Sequence, residues 1–228
     1  MKTYYIVGLL TFLMISACKT EPKKSEDTVE TTETEKTIPE LIAEAHGFNN
    51  WKDVEEITFT FNVDRDSMHF ERKWDWKPKT NMVTAISGAD TLTYDRADMD
   101  SIAQKTNGGF INDRYWLMAP FNLMWDSNNY SYEHTAEAIA PISEESMQKL
   151  TIVYANEGGY TPGDAYDFYF KDDFIVREWA YRKSNQEEPS LVSTWEDYVD
   201  VEGIQLARQH NRPNGGLSLY FTGLSVSK

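Results

Sequence analysis

Residues 166–182 read YDFYFKDDFIVREWAYR, a stretch in which bulky apolar side chains alternate with polar ones. The alternation places three aromatic rings on one face of a first strand, at Tyr166, Phe168 and Phe170. Asp172 and Asp173 are typical turn residues, and a second strand follows over 174–182. The stretch therefore predicts an antiparallel β-hairpin.

The same two-residue period recurs along most of the chain. It is clearest over 57–63, where apolar residues alternate with polar ones, and over 70–76, where Phe70, Arg72, Trp74 and Trp76 alternate with Glu71, Lys73 and Asp75. Weaker patterns predict further strands at 81–86, 91–95, 149–155, 192–200, 203–210 and 217–222. Helices do not alternate with these strands, so no βαβ arrangement is indicated. The predicted fold class is mainly β (α+β), with one antiparallel sheet that is too long to stay flat and is therefore strongly curved.

Two helices are predicted among the strands. Thr37 and Glu40 are spaced as a capping box, Pro39 fits a first helical turn, and Gly47 stands where this helix should end. A second, short helix is predicted near 96–104. The N-terminal helix and this short helical insert would cover the concave face of the curved sheet.

Composition limits the classes of protein to which the chain can belong. Seven Trp, 13 Tyr and 11 Phe among 228 residues provide ample material for a core, which excludes a wholly disordered chain. The formal net charge is −15 and no Lys/Arg-rich stripe occurs, so no nucleic-acid partner is expected. Cys18 is the single cysteine, which excludes an internal disulfide and a CxxC metal site.

The N-terminus has the pattern of a secretory signal. Lys2 precedes an apolar run over 5–15 that is too short to span a bilayer. The run ends in Ile15-Ser16-Ala17-Cys18, which resembles the bacterial lipobox. This resemblance implies that 1–17 is a lipoprotein signal peptide and that Cys18 is lipidated; the alternative is a plain secretory signal with an unrelated cysteine.

The segment after the cysteine is polar. Residues 19–37 contain one aliphatic residue and cannot bury a core, so 18–37 is predicted to be the lipidated Cys and a disordered acidic tether. Lys2 is the only charge in the signal, so the net charge of the mature chain becomes −16. An acidic body is repelled by anionic lipid, and we expect the anchor alone to hold it at the membrane. Lys19, rather than Asp, implies by the same resemblance an outer-membrane lipoprotein facing the periplasm.

The order of the predicted elements resembles a known fold. A lipobox, one N-terminal helix, a meandering sheet and a central helical insert look like the LolA/LolB-like lipoproteins. Residues 114–124 (RYWLMAPFNLM) are similar to a stretch in outer-membrane lipoproteins of the Bacteroidota, where an aromatic strand runs into a Pro-initiated helical turn. The resemblance implies a half-barrel of about eleven strands with a helical lid, built by 38–228 as a single domain.

A block rich in aromatic and methionine residues suggests a ligand cavity. A curved sheet of this size has more concave face than one helix can fill, and such side chains suit flexible apolar ligands. Core packing is the competing explanation for each of them. The candidate binding residues are Phe59, Phe61, Tyr115, Trp116, Met118, Phe121, Met124, Phe168 and Phe170.

The sequence lacks catalytic and metal-binding patterns. It contains no GxSxG, P-loop or GxGxxG motif, and His46, His69, His134 and His210 share no ligand spacing. His46 precedes Gly47 and is interpreted as a helix-end residue. We therefore expect no catalytic residue, no metal, no cofactor and no enzymatic activity.

Together these patterns predict a lipid-anchored periplasmic envelope protein. It would bind an apolar ligand (a lipid, an acyl chain or a lipidated partner) in the concave face of the sheet. The membrane is the expected partner through the anchor, and the chain is expected to be a monomer. One alternative is a non-enzymatic envelope scaffold, which exposed aromatic patches outside the cavity would favour. Another is a hydrolase of envelope polymers, which His and carboxylates converging at a cleft would favour.

Overall fold

The computed structural model describes residues 1, 35–213 and 215–228 of the chain. The fold is built by one compact unit, Lys36–Lys228. The predicted signal peptide, Cys18 and nearly all of the predicted tether lie outside the described residues. In the part of the chain that is described, no helix combines the length and the apolar character needed to cross a membrane.

The first helix, α1 (Ile38–Ala45), begins and ends as the sequence predicts. Thr37 and Glu40 form the capping box, with the Thr37 N–H donating to the Glu40 carboxylate at 2.7 Å. Gly47 adopts a φ of +90°, and a Cβ at this position would lie 2.1 Å from the carbonyl oxygen of Gly203. Only glycine fits such a close approach of two backbone segments.

The described residues form twelve strands, all paired antiparallel. Seven of them build one sheet in the order β10-β11-β12-β1-β2-β3-β4, and five build a second in the order β5-β6-β7-β8-β9. The strands are β1 (Glu56–Arg65), β2 (Met68–Lys77), β3 (Met82–Ser87), β4 (Asp90–Asp95), β5 (Tyr130–Ile139), β6 (Ser146–Tyr154), β7 (Ala165–Phe170), β8 (Val176–Arg182), β9 (Leu191–Thr194), β10 (Glu196–Val201), β11 (Ile204–Asn211) and β12 (Ser218–Ser227).

The two sheets are joined where β9 continues into β10. Trp195 alone separates these strands, and its N–H donates to the Arg177 carbonyl at 2.7 Å, which extends the pairing of β8 with β9. If β9 and β10 are counted as one bent strand, the sheet has eleven strands. The outermost strands, β5 and β4, do not pair with each other among the described residues, so the sheet stays open. This arrangement confirms the predicted antiparallel half-barrel.

The helical insert is longer than predicted. The helix α2 spans Ser101–Trp125, with Asp100 as its N-cap, and it contains the stretch 114–124 that was predicted to begin as a strand. Met118 departs from helical geometry (φ −131°, ψ 26°) two residues before Pro120. Pro120 lacks the N–H that would donate to the preceding turn, which accounts for a kink rather than a new strand.

The insert lies between the two sheets and is buried by both. Phe110, Leu117 and Phe121 of α2 belong to the apolar cluster on the seven-stranded sheet. Its Leu123 belongs to the cluster on the five-stranded sheet. Trp116 packs against both clusters. The helix therefore fills the concave side of the half-barrel along much of its length.

Candidate functional site

A groove opens between the first half of α2 and strands β2 and β3. We call it the Arg72 groove; its volume is about 640 Å³. Its apolar wall comes from both layers, since Trp74 and Ile86 lie on the sheet and Ile102 on the helix, where it is 64% exposed. The lining residues are Arg72, Trp74, Ala85, Ile86, Ser87, Ser101, Ile102, Lys105 and Thr106.

An ion pair with a buried carboxylate holds Arg72 at this groove. The Asp113 carboxylate on α2 accepts from Nε and Nη2 of Arg72 at 2.9 and 2.7 Å and from the Trp74 indole N–H at 2.9 Å. Asp113 is fully buried, whereas the Arg72 side chain is 29% exposed. Burial raises the pKa of Asp113, and the neighbouring Arg72 charge opposes that rise. The pair ties the helix to β2 at the floor of the groove.

The backbone of α2 makes room for the Arg72 side chain at Gly109. A Cβ at this position would lie 2.6 Å from Nη1 of Arg72, so a larger residue would displace the guanidinium. The guanidinium also lies over the Phe70 ring, 5.0 Å from its centroid. Arg72 is therefore held by a carboxylate on one side and by aromatic rings on the other.

A smaller aromatic pocket opens on the other sheet, beside the same helix. Its volume is about 280 Å³. Tyr166 and Trp179 stack with ring planes 5° apart, and Trp116 meets Trp179 edge-on at 4.9 Å. The pocket is lined by Asn112, Trp116, Tyr160, Thr161, Tyr166, Trp179, Tyr181 and Leu191. We refer to it as the aromatic pocket.

Two histidines are buried in the body of the domain. His210 lies behind the aromatic pocket, with ring centroids 5.5 Å from Trp116 and 4.7 Å from Trp195. Burial lowers the pKa of His210 to about 3. His46 caps α1, with Nδ1 2.8 Å from the Ile42 carbonyl oxygen, which confirms its interpretation as a helix-end residue. Burial lowers the pKa of His46 to about 4.

Most of the nine residues that the sequence predicts to contact an apolar ligand lie inside the hydrophobic core. Six are fully or almost fully buried in the two apolar clusters, and Tyr115 is buried with them, stacked on Tyr160 at 3.7 Å. Met124 is partly buried near the end of α2. Trp116 is the one of the nine that lines either opening. The six residues that are buried in the two apolar clusters are Phe59, Phe61, Met118, Phe121, Phe168 and Phe170.

The four histidines lie in different surroundings. His69 lies on the exposed β1–β2 hairpin, 2.7 Å from an Asp64 carboxylate oxygen, and His134 lies on the exposed strand β5. None of the four lines the Arg72 groove or the aromatic pocket. Within the described ranges, no group of three or more His, Cys, Asp or Glu side chains could hold a metal ion.

Sequence reasoning missed the residues that build the Arg72 groove. Arg72 and Asp113 are 41 positions apart, and no local pattern joins them. The one local signal was Gly108-Gly109, but the preceding Asn107 makes Asn-Gly-Gly typical of a turn, so the pair did not by itself indicate the close approach of another chain segment. Gly109 does face such an approach, whereas no atom lies within 4 Å of a Cβ built at Gly108.

No protein-family model and no curated protein matches the sequence. Solved structures do match. A LolA superfamily protein from Nitrosomonas europaea is 10% identical with a TM-score of 0.50, covering 84% of this chain and 92% of that one. A DUF1329 family protein from Desulfovibrio piger is 11% identical (TM-score 0.48, 83% and 92% covered). A putative outer membrane lipoprotein-sorting protein domain from Vibrio parahaemolyticus is 10% identical (TM-score 0.43, 83% and 94%).

These matches concern architecture, because the identities are about one residue in ten. The match to the Nitrosomonas structure extends over most of both chains and concerns the fold alone. By its fold, this chain is a LolA-like half-barrel.

Proposed function

We propose that this protein binds an apolar ligand, namely a lipid, an acyl chain or a lipidated partner, in the Arg72 groove. The observation that carries the proposal is the groove itself, with a volume of about 640 Å³ and Trp74, Ile86 and the exposed Ile102 as its walls. Pockets for small molecules in proteins generally measure about 300–1,000 Å³ and combine apolar walls with a few polar groups. The groove meets both criteria.

The core of the half-barrel supports the same choice of site. α2 already occupies the concave side, so a ligand has room beside the helix rather than beneath it. Trp116 is proposed as a second contact, through the aromatic pocket on the other side of α2. The fold shared with a LolA superfamily protein supports a binding role rather than catalysis, by analogy alone.

Replacing Ile102 with Gln tests the groove directly. The side chain is 64% exposed on α2, so the free energy of unfolding should change by less than about 0.5 kcal/mol. Binding of an uncharged fluorescent apolar probe should weaken tenfold or more, which is about 1.4 kcal/mol. Fluorescence titration of the purified protein measures this binding.

Ile139→Gln is the matched control. Ile139 is 66% exposed and lies on β5, outside the groove. Its replacement should leave the affinity for the probe unchanged. A native protein that binds no apolar probe, or an equal loss in the two variants, would contradict the proposed site.

We also propose that the protein is a lipoprotein of the outer membrane facing the periplasm. The support is the lipobox-like sequence that ends in Cys18, which lies outside the described residues. Lipid chains contribute about 0.8 kcal/mol per buried CH₂, so the anchor would dominate membrane attachment. The domain lies on the C-terminal side of the proposed tether.

Cys18→Ser should release the protein from membranes. The acidic body has no other affinity for an anionic lipid surface, so the variant should move from the membrane fraction to the soluble fraction. Cell fractionation and incorporation of labelled palmitate measure the two effects. An unchanged membrane fraction would show that something other than Cys18 holds the protein there.

One observation favours a second function, an envelope scaffold that binds a protein partner. Strand β5 is an edge strand of ten residues, and it exposes Tyr132 (48%) and Ile139 (66%). Long exposed edges can accept a strand from another chain. The Ile102 and Ile139 variants separate the two functions, because they lie on different surfaces of the domain.

A further inference from the structure

We propose that the ligand of the Arg72 groove is an anionic amphiphile, with one alkyl chain against the apolar wall and a carboxylate or phosphate headgroup against Arg72 and Lys105. The inference rests on the proposed function of this groove and names its ligand class. It is carried by the charge of the lining, by the donors that the lining offers, and by the separation of its apolar and polar parts.

The charge of the groove is opposite to that of the chain. The whole sequence contains 37 acidic and 22 basic residues. The nine residues that line the groove include two cations, Arg72 and Lys105, and no acidic residue. A positive groove on an acidic protein attracts anions selectively, since the remaining surface repels them.

Arg72 is prepared for an additional anion. The bonds to Asp113 use Nε and Nη2, so Nη1 has no hydrogen-bond partner among the described residues. Nη1 packs against the α2 backbone at Gly109, in the position that a Cβ would occupy, and this contact holds the guanidinium in place at the groove. A guanidinium held in place loses little conformational freedom when it binds a carboxylate or phosphate.

Lys105 provides the charge that is not already neutralised. It is exposed on α2 and makes no ion pair with any described residue, whereas Arg72 is paired with the buried Asp113. Hydroxyl groups of Ser87 and Ser101 also line the groove and can donate to anionic oxygens, whereas the Thr106 hydroxyl already donates to the Ile102 carbonyl at 3.0 Å. These groups can replace part of the water that a headgroup loses on binding.

The apolar part of the groove fits the other end of such a ligand. Ala85, Ile86 and Ile102 form a water-accessible apolar wall that extends from the sheet to the helix, and Trp74, which also lines the groove, is itself almost fully buried. An alkyl chain laid on this wall removes apolar surface from water at about 25 cal/mol per Å². A small anion would lack this contribution, and an uncharged alkyl chain would lack the charge contribution. The groove therefore favours a molecule that has both.

The test compares probes that share one twelve-carbon chain and differ in headgroup. Dodecanoate, dodecyl phosphate, dodecanol and dodecyltrimethylammonium are titrated into the purified full chain below their micelle concentrations, by displacement of the uncharged fluorescent probe. At least one of the two anions should bind tenfold or more tightly than dodecanol, and the cation more weakly than dodecanol. The preference should decrease at high salt, which screens exposed charges.

Lys105→Glu should reduce affinity for the anions tenfold or more while binding of dodecanol stays within twofold of the native protein. Lys52→Glu is the control, because it makes the same charge change on an exposed residue that does not line the groove. Arg72 is left unchanged, since its removal would strand the buried Asp113. Thermal unfolding of each variant confirms that it is folded.

The results of these titrations test the anionic ligand class and the apolar groove separately. A preference for dodecanoate supports it and assigns a fatty-acid headgroup, whereas a preference for dodecyl phosphate supports it and assigns a phospholipid headgroup. Equal binding of all four probes would overturn the inference and leave the apolar groove intact. The same conclusion follows if Lys105→Glu and Lys52→Glu behave alike. Binding of no probe at all would overturn the proposed function together with the inference.

Discussion

Acidification from pH 7.5 to pH 4.5 should lower the free energy of unfolding by about 5 kcal/mol through two buried histidines alone. Burial lowers the pKa of His46 to about 4 and that of His210 to about 3, from an ordinary value of 6.5. Each imidazole ring is almost completely inaccessible to water. The hydrogen-bond partners of the two rings are backbone groups and the Tyr198 hydroxyl, and no carboxylate is among them. The folded state therefore holds both rings in the neutral form.

The direction of this change in the free energy of unfolding follows from the number of protons that the folded and unfolded states bind. Between pH 6.5 and the lowered pKa, the unfolded chain takes up a proton on each histidine and the folded protein does not. The contribution of His46 and His210 is therefore fully present above pH 6.5 and is lost as the pH falls. Each histidine should account for about 2–3 kcal/mol at pH 4.5.

Urea unfolding of the purified protein at the two pH values measures this loss. His46→Gln and His210→Gln should each lower stability at pH 7.5 and also reduce the loss between pH 7.5 and pH 4.5 by about 2–3 kcal/mol. His134→Gln is the control, because His134 is exposed and hydrogen-bonded to Gln148. If all three variants lost as much stability on acidification as the native protein does, the burial of His46 and His210 would not be the cause.

Asp113→Ala should lower the free energy of unfolding by about 3 kcal/mol, near the lower end of the 3–5 kcal/mol typical of a broken buried ion pair. The variant leaves Arg72 without its carboxylate and Trp74 without an acceptor for its indole N–H. The value lies at the lower end because the Arg72 side chain is 29% exposed and water can solvate part of its charge. Denaturant unfolding at neutral pH measures the effect.

Glu145→Ala provides the comparison for Asp113→Ala. Glu145 pairs with Lys171 at 2.6 Å, but both side chains are more than half exposed. Its removal should change stability by less than about 1 kcal/mol. An Asp113 variant as stable as the Glu145 variant would mean that the Arg72 pair contributes nothing to holding α2 against β2.

The strands were predictable where one face is buried and the other is polar. Phe59 and Phe61 on β1, and Trp74 and Trp76 on β2, are buried at alternate positions, as the sequence pattern indicates. Strand β5 was not predicted although Tyr130 and Tyr132 alternate with Ser131 and Glu133, because the rest of the strand is small or polar and most of its residues are exposed, which leaves the apolar alternation weak. The break at Trp195 was also missed, because a change of pairing partner leaves the alternation on each side intact.

The helix α2 was underestimated for two physical reasons. It is buried against both sheets, so its apolar residues do not form the single stripe that identifies a surface helix. Gly108, Gly109 and Pro120 also argue locally against a helix, and tertiary packing overrides their low propensity. The Arg72 groove depends on this helix, and its charged residues come from segments that are distant in the sequence.

The position of the last strand has a consequence for biosynthesis. β12 pairs with β1 at the centre of the seven-stranded sheet, and Glu56 lies opposite Ser227. Until β12 has been synthesised, β1 therefore has one unpaired edge, and Phe59 and Phe61 lack the neighbouring Phe221. The five-stranded sheet needs only contiguous chain from β5 to β9. The larger sheet can be completed only once β12 has been made, and a chain that lacks β12 would present an aggregation-prone strand edge.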